Sequence, residues 1–135
     1  MEIAVRYFTR SGNTEKLAKA VAAAVEVEAL TINEPLTQKT DILFLCSSYY
    51  AFDIDPLVKE FIINNKDNIG KIVCVGSSAM MKSMYRPVNR VAKKVGIPVA
   101  KEEFHCHGRF KNVHVGKPDE EDLKKAAEFA IKAIK

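Results

Sequence analysis

Two short runs, Asp41-Ile42-Leu43-Phe44-Leu45-Cys46 and Lys71-Ile72-Val73-Cys74-Val75-Gly76, are apolar at consecutive rather than alternating positions. Successive side chains of a strand point to opposite faces, so a run of this kind needs apolar cover on both sides of its sheet. That requirement predicts a parallel sheet sandwiched between helices, and the rest of the chain supplies the parts. Ile3 to Phe8 reads as a first strand, Glu15 to Val25 as a helix of strong helix formers, and Val27 to Ile32 as a second, shorter strand. Asp55 to Asn65 reads as a helix. Tyr85 to Val95 carries Val88, Val91, Ala92 and Val95 at helical spacing and is ended by Gly96-Ile97-Pro98. Val99 to Phe104 reads as the next strand. Asp119-Glu120-Glu121-Asp122 places acid on the first turn of a last helix through Ile134, with Leu123, Ala126, Ala127, Ala130, Ile131 and Ile134 as its apolar stripe. Strand and helix alternate with no repeat, low-complexity tract or linker, the pattern of an α/β fold.

At 135 residues, 47% hydrophobic and 28% charged, the chain is long enough for one core and too short for two, so residues 1–135 read as a single domain. No apolar stretch reaches bilayer-spanning length, and the N-terminus enters a strand without signal-peptide character. A cytoplasmic protein without a membrane role is expected. Cys46, Cys74 and Cys106 are too few and odd in number for a disulfide framework, which fits a reducing compartment.

The junction Thr9-Arg10-Ser11-Gly12-Asn13-Thr14 lies between the first strand and the first helix. The first N–H groups of a helix lack partners within it, and the helix dipole adds partial positive charge there, so an anion is a natural occupant. Gly12 admits close approach of the main chain, and Thr9, Ser11 and Thr14 offer hydroxyls to phosphate oxygens. Neither a Walker loop nor a Gly-x-Gly-x-x-Gly motif is present, which counts against ATP and dinucleotides. Ser11 acting only as a helix cap is the alternative. His105-Cys106-His107, with His114 nearby, carries metal-ligand residue types, but on a strand Cys106 faces away from the two histidines, and a simple strand end is the expected reading.

Tyr7-Phe8-Thr9-Arg10-Ser11-Gly12-Asn13-Thr14-Glu15 resembles the FMN phosphate loop of flavodoxins. Ser47-Ser48-Tyr49-Tyr50-Ala51-Phe52-Asp53-Ile54-Asp55-Pro56, with the helical residues that follow, is similar to that family's ring-binding loop after the third strand. The resemblance implies a doubly wound five-stranded parallel sheet of order 2-1-3-4-5 with helices on both faces, and FMN bound where the winding reverses between strands 1 and 3. It assigns the phosphate to Thr9, Arg10, Ser11, Gly12, Asn13 and Thr14. The flavin ring falls to Ser48, Tyr49, Tyr50, Ala51 and Phe52 and to Ser77, Ser78 and Ala79, with Tyr50 as the stacking ring.

The function so implied is electron transfer, with the protein itself supplying no acid or base. A reductase and an acceptor protein would be its partners, nucleic acid would not, and the chain would be a monomer or weak homodimer. An FMN-dependent NAD(P)H or quinone-type oxidoreductase is the alternative, and an FMN-free interaction module of the same fold is a second. Three departures stand out. Ala51 and Phe52 replace the glycine often found after the loop tyrosine, which implies weaker stabilisation of one-electron-reduced flavin. Arg10 stands where the family usually has a small residue. The formal charge of +4 contrasts with the acidic surface usual in such carriers and implies other partners, with Lys82, Lys93, Lys94, Lys124, Lys125 and Lys132 read as scattered along solvated helix faces.

Overall fold

The computed structural model describes residues 1–9, 12–50, 53–77, 83–106, 116 and 118–135, and the main chain only of residues 49 and 50. Five of its strands run parallel: β1 (Ile3–Phe8), β2 (Ala29–Thr31), β3 (Ile42–Tyr50), β5 (Ile72–Ser77) and β6 (Phe104–Cys106). Their order is β2-β1-β3-β5-β6, and the two-residue β4 (Asp53–Ile54) pairs antiparallel with the end of β3. Leaving β4 aside, this is the expected 2-1-3-4-5 order. The helices are α1 (Asn13–Ala24), α2 (Pro56–Asn64), α3 (Tyr85–Lys94) and α4 (Glu120–Ala133).

The consecutive apolar runs divide between two cores, one on each face of the sheet. Leu43, Leu45, Ile72 and Cys74 pack with Val58, Phe61 and Ile62 of α2 and Val88 and Ala92 of α3. Ile42, Phe44, Cys46, Val73 and Val75 pack on the other face with Leu17, Ala18 and Val21 of α1 and Ala126 and Ala130 of α4. Phe44, Leu43, Leu45, Ile72, Val73 and Val75 are almost wholly out of water, each contributing about 1.5–3 kcal/mol of hydrophobic stabilisation. All three cysteines are buried. Burial pushes the Cys46 and Cys74 thiols far up from their ordinary values, and for Cys74 the charge of Glu103 adds to it. Ellman's reagent should therefore find no thiol within minutes in the native protein and all three in guanidinium; a single fast-reacting thiol would contradict this packing.

Four local expectations are revised. β3 runs on through Ser47, Ser48, Tyr49 and Tyr50, which the sequence reads as loop, because Ser47 and Ser48 pair with Gly76 and Ser77 of β5 while Phe8 of β1 pairs with Ser47. Val99 makes only an isolated bridge to Ile72, and the strand proper forms later, at Phe104 opposite Val75. Two more residues separate the contacts on the outer chain than on β5, so residues 100–103 bulge. The bulge delivers Glu103 to the start of α3, where its carboxylate accepts from Met84 N at 2.9 Å and Ser83 Oγ at 2.5 Å. Ile131 of the predicted α4 stripe is exposed, while Phe129 turns inward against Phe104 with ring centroids 6.1 Å apart. Finally, residues 32–41 cross from β2 to β3 with no helix.

Side chains stand in for the missing helix. Asn65 Oδ1 accepts from Leu36 N at 2.9 Å, Asn68 Nδ2 donates to Leu36 O at 3.0 Å, and the buried Arg6 donates to Glu34 O and Pro35 O. Leu36 itself is buried in the core of the α2 and α3 face.

Candidate functional site

β1 and β3 are neighbours, yet the chain leaves β1 toward β2 on one side and leaves β3 toward β5 and β6 on the other. Their carboxyl ends therefore flank the point where the winding reverses, the place where open α/β sheets leave a crevice. The loops after β1, β3 and β5 all leave from this edge. Arg10, Ser11, Ala51, Phe52, Ser78 and Ala79, with His107 and His114, lie outside the described residues. Tyr49 and Tyr50 are placed at this edge by their main chain alone, as the last two residues of β3.

Gly12 is the N-cap of α1 and adopts φ +88°, ψ −8°, the left-handed region that glycine enters without penalty. It has no side chain with which to cap the helix, and a Cβ built on it would meet nothing within 4 Å among the described residues. The N-cap Met84 of α3 likewise makes no side-chain cap, though Ser83 Oγ accepts from Tyr85 N there, and the other two helices start differently. Asp55 caps α2 by accepting from Leu57 N, and Asp119 and Asp122 close a reciprocal capping box on α4. The start of α1 is thus bare of a capping side chain at its N-cap residue and uncrowded by the described residues, an arrangement an anion can use.

Hydroxyl residues cluster at this edge. Thr9 Oγ1 accepts from Gly12 N at 2.9 Å and so fixes the bend of the loop. Thr14, in the first turn of α1, is fully buried, and its Oγ1 lies 3.1 Å from Ser77 Oγ at the end of β5. Ser48 is paired in register with Ser77, and its Oγ is buried with no hydrogen-bond partner among the described residues. Ser47 differs, donating to Ser48 O at 2.7 Å. An unpaired buried hydroxyl is costly and asks for a partner. The anion-binding character of this edge rests on the start of α1, which suits a phosphate-bearing group.

β4 lies antiparallel to the end of β3, Ile54 opposite Tyr49 and Asp53 opposite Tyr50. Asp53 accepts from Ile54 N at 2.8 Å and from Lys59 Nζ of α2 at 2.7 Å, and the Lys59 hydrogen bond is the main reason its carboxyl is held below the usual range. The link between Thr14 and Ser77 and the fastening of α3 by Glu103 had no signal in the sequence, since each joins positions far apart in the chain. His105 and Cys106 both lie in β6, Cys106 buried in the α1 and α4 core and the Nδ1 of His105 buried without a partner among the described residues. No group of three or more side chains able to hold a metal occurs among the described residues.

A cavity of about 170 Å³ lies elsewhere, at the amino end of β1, walled by Ala4, Arg6, Glu28, Leu36, Thr37 and Thr40. It is a gap beside the helix-free crossover and is remote from the crevice. No helix among the described residues is long and apolar enough to cross a membrane.

No protein-family model matches the chain, and no curated protein matches it in sequence. Solved structures do match in shape. A flavodoxin from the domain Archaea superposes with a TM-score of 0.73 at 18% identity, covering 98% of this chain and 95% of that one. A short-chain flavodoxin associated with a non-canonical PDU bacterial microcompartment gives 0.68 at 21% identity, with both chains covered completely. Rubredoxin oxygen:oxidoreductase from the anaerobe Desulfovibrio gigas gives 0.70 at 15% identity, and there this chain spans only 34% of the larger protein. The full-length superpositions, the strand order and the helices on both faces agree: this chain has the flavodoxin fold.

Proposed function

We propose that this protein binds FMN non-covalently at the carboxyl edge of its sheet and transfers electrons, as a single domain acting in the cytoplasm. The observation that carries the reading is the start of α1: a left-handed glycine N-cap, uncrowded by the described residues and without a capping side chain, at the reversal point of a flavodoxin-fold sheet. Bound FMN would supply one- or two-electron chemistry. The chain would supply its holding groups. Residues 9–14 would take the phosphate, with Arg10, Ser11 and Asn13 beside Gly12 and with Thr9 shaping the loop. Ser48, Tyr49, Tyr50, Ala51 and Phe52 would flank one side of the ring, and Ser77, Ser78 and Ala79 the other.

Thr14 and Ser77 share one hydrogen between their oxygens, so the proton left over is directed by whichever hydroxyl accepts. With Ser77 donating, the Thr14 hydroxyl would be turned toward the anion. The physiological partners would be a reductase and an acceptor protein. Flavodoxins and an oxygen oxidoreductase are among the proteins of this shape, which supports a redox role over an FMN-free interaction module.

The test is a titration of the purified protein with FMN and with riboflavin, read by flavin fluorescence. The expected result is saturation at about one FMN per chain, with riboflavin at least about tenfold weaker because it lacks the phosphate that the helix start holds. Equal affinity for the two flavins would remove the phosphate from this site, and no quenching by either would overturn the reading. Steady NAD(P)H oxidation with a quinone, needing no separate reductase, would replace the carrier by the oxidoreductase.

A further inference from the structure

The formal charge of the chain is +4, and α3 alone carries that much. Within Tyr85–Lys94 stand Arg86, Arg90, Lys93 and Lys94 and no acid, so the remaining residues balance to zero. The four positions fall at i, i+4, i+7 and i+8, one face of a helix, and all four side chains are exposed. The basicity is therefore a stripe. Elsewhere Lys125 of α4 pairs with Glu121 and Lys19 of α1 with Glu15.

No direct ion pair neutralises the stripe: none of its four cations has a carboxylate within ion-pair distance among the described residues. Among the acids of neighbouring elements, Asp53 accepts from Lys59 and acts on Arg90 only through its longer-range field, and Glu103 accepts from Ser83 Oγ and Met84 N. Helix stability accounts for Lys93 and Lys94, which lie in the last turn where the dipole favours cations, but not for the two arginines. Arg86 lies in the first turn, where the dipole disfavours a cation, and Arg86 with Arg90, and Arg90 with Lys93 and Lys94, are like-charge neighbours at destabilising spacings. Charges kept against local preference point to a use outside the fold.

The position of α3 indicates what that use is. The helix begins at Tyr85, just after the loop that follows β5 at the carboxyl edge, and runs back along the α2 side of the sheet for about 15 Å. Its basic face is thus continuous with the edge assigned above to the flavin. We infer that the exposed face of α3, Arg86, Arg90, Lys93 and Lys94, is the docking surface for an acidic redox partner protein. The inference takes from the proposed function only that such a partner exists. Two arginines at the centre suit carboxylates, which they grip in bidentate fashion, while the lysines steer encounter. Four cations on one ten-residue helix make a small footprint for nucleic acid, whose specific binders make more phosphate contacts and add base-reading groups.

The experiment measures binding of fluorescein-labelled poly-L-glutamate by anisotropy, at low salt and at about 150 mM salt. It compares the wild type with R86Q/R90Q/K93Q/K94Q and with K124Q/K125Q, each first checked for native circular dichroism and melting. The expected result is binding that weakens about tenfold with salt, falls at least about tenfold further in the α3 variant, and is nearly unchanged in the α4 variant. No binding, or equal loss in both variants, would overturn the inference. So would tighter binding of a DNA duplex or of phosphatidylserine vesicles through the same four residues, which would assign the stripe to a different polyanion. FMN affinity measured on the same samples is independent of these outcomes. A protein that binds polyglutamate through α3 but no flavin would keep the docking surface and lose the redox role.

Discussion

Replacing Gly12 by Asp should weaken FMN binding by about a hundredfold or more while leaving the protein folded. Two effects act together at this residue. The backbone stands at φ +88°, where any Cβ is strained by roughly 1 kcal/mol, although Asp and Asn tolerate the left-handed region better than other residues. The larger effect is charge. A carboxylate brought into contact range of a phosphate costs about 1 kcal/mol per charge pair in water and about 4 kcal/mol at the effective dielectric of a protein surface. It would also use the helix start itself, since Asp is among the best N-cap residues and would accept the N–H groups that the anion needs.

That same capping makes the substitution a clean test of site against fold. The strain and the new cap offset each other, so the melting temperature should change little while affinity collapses. Gly12→Asn separates the terms, because it keeps the shape and the cap without the charge and should lose no more than about tenfold. Calorimetric titration of the three proteins with FMN and with riboflavin is the measurement. Undiminished FMN affinity in Gly12→Asp would place the phosphate away from α1.

What the sequence shows of this fold is the part written in local periodicity. Ile42 to Leu45 and Ile72 to Val75 could be buried on both faces only within a covered parallel sheet, and both runs are found there. Asp119 and Gly96 end or begin helices by short-range bonding, so their positions were readable too. The features that were missed depend on what lies across the sheet. Ser47 and Ser48 look like loop residues in isolation and become strand because the ends of β1 and β5 extend beside them. The bulge before Phe104 accompanies a contact of Glu103 with the start of α3, far away in sequence. The predicted α4 stripe took in Ile131, on the edge of the apolar arc, and left out Phe129, which Phe104 draws in from β6.

The candidate site divides in the same way. Gly12 at a helix start was visible as a motif, whereas the contact between Thr14 and Ser77 joins residues 63 positions apart and leaves no trace in either neighbourhood. The charge was half visible. Lys93 and Lys94 look like scattered lysines on their own, and only with Arg86 and Arg90 placed beside them at helical spacing does the excess collect on one face.

Arg6 offers the sharpest test of how the helix-free crossover is held, and Arg6→Met should destabilise the protein by about 2–4 kcal/mol. Burying a guanidinium is unfavourable in itself, and replacing buried charges by apolar groups of similar size is often neutral or stabilising. Burial indeed holds the Arg6 pKa below its ordinary value, against the attraction of Glu34 and then Glu28, though arginine stays protonated throughout the accessible range. What decides the sign here is the nature of the partners. Arg6 donates to Glu34 O at 2.9 Å, Val5 O at 3.1 Å and Pro35 O at 3.3 Å, and these are backbone carbonyls that no compensating substitution removes.

A methionine would fill the space of the stem and recover the desolvation of the charge, but it would leave the Glu34 and Pro35 carbonyls without donors in a segment that has no helix of its own to satisfy them. Each lost bond to a charged donor is worth about 1.5–3 kcal/mol before the recovered desolvation is subtracted, hence the range given. For a chain of this size the melting temperature should fall by roughly 10 °C. Amide exchange should quicken first at Leu36 and Thr40, whose N–H groups bond across the crossover to Asn65 and Asn68. Arg6→Lys should fall between the two, since one ammonium lacks the planar fork that reaches successive carbonyls together. A methionine variant as stable as the wild type would mean that the core contacts of Leu36, rather than the guanidinium, hold the crossover against the sheet.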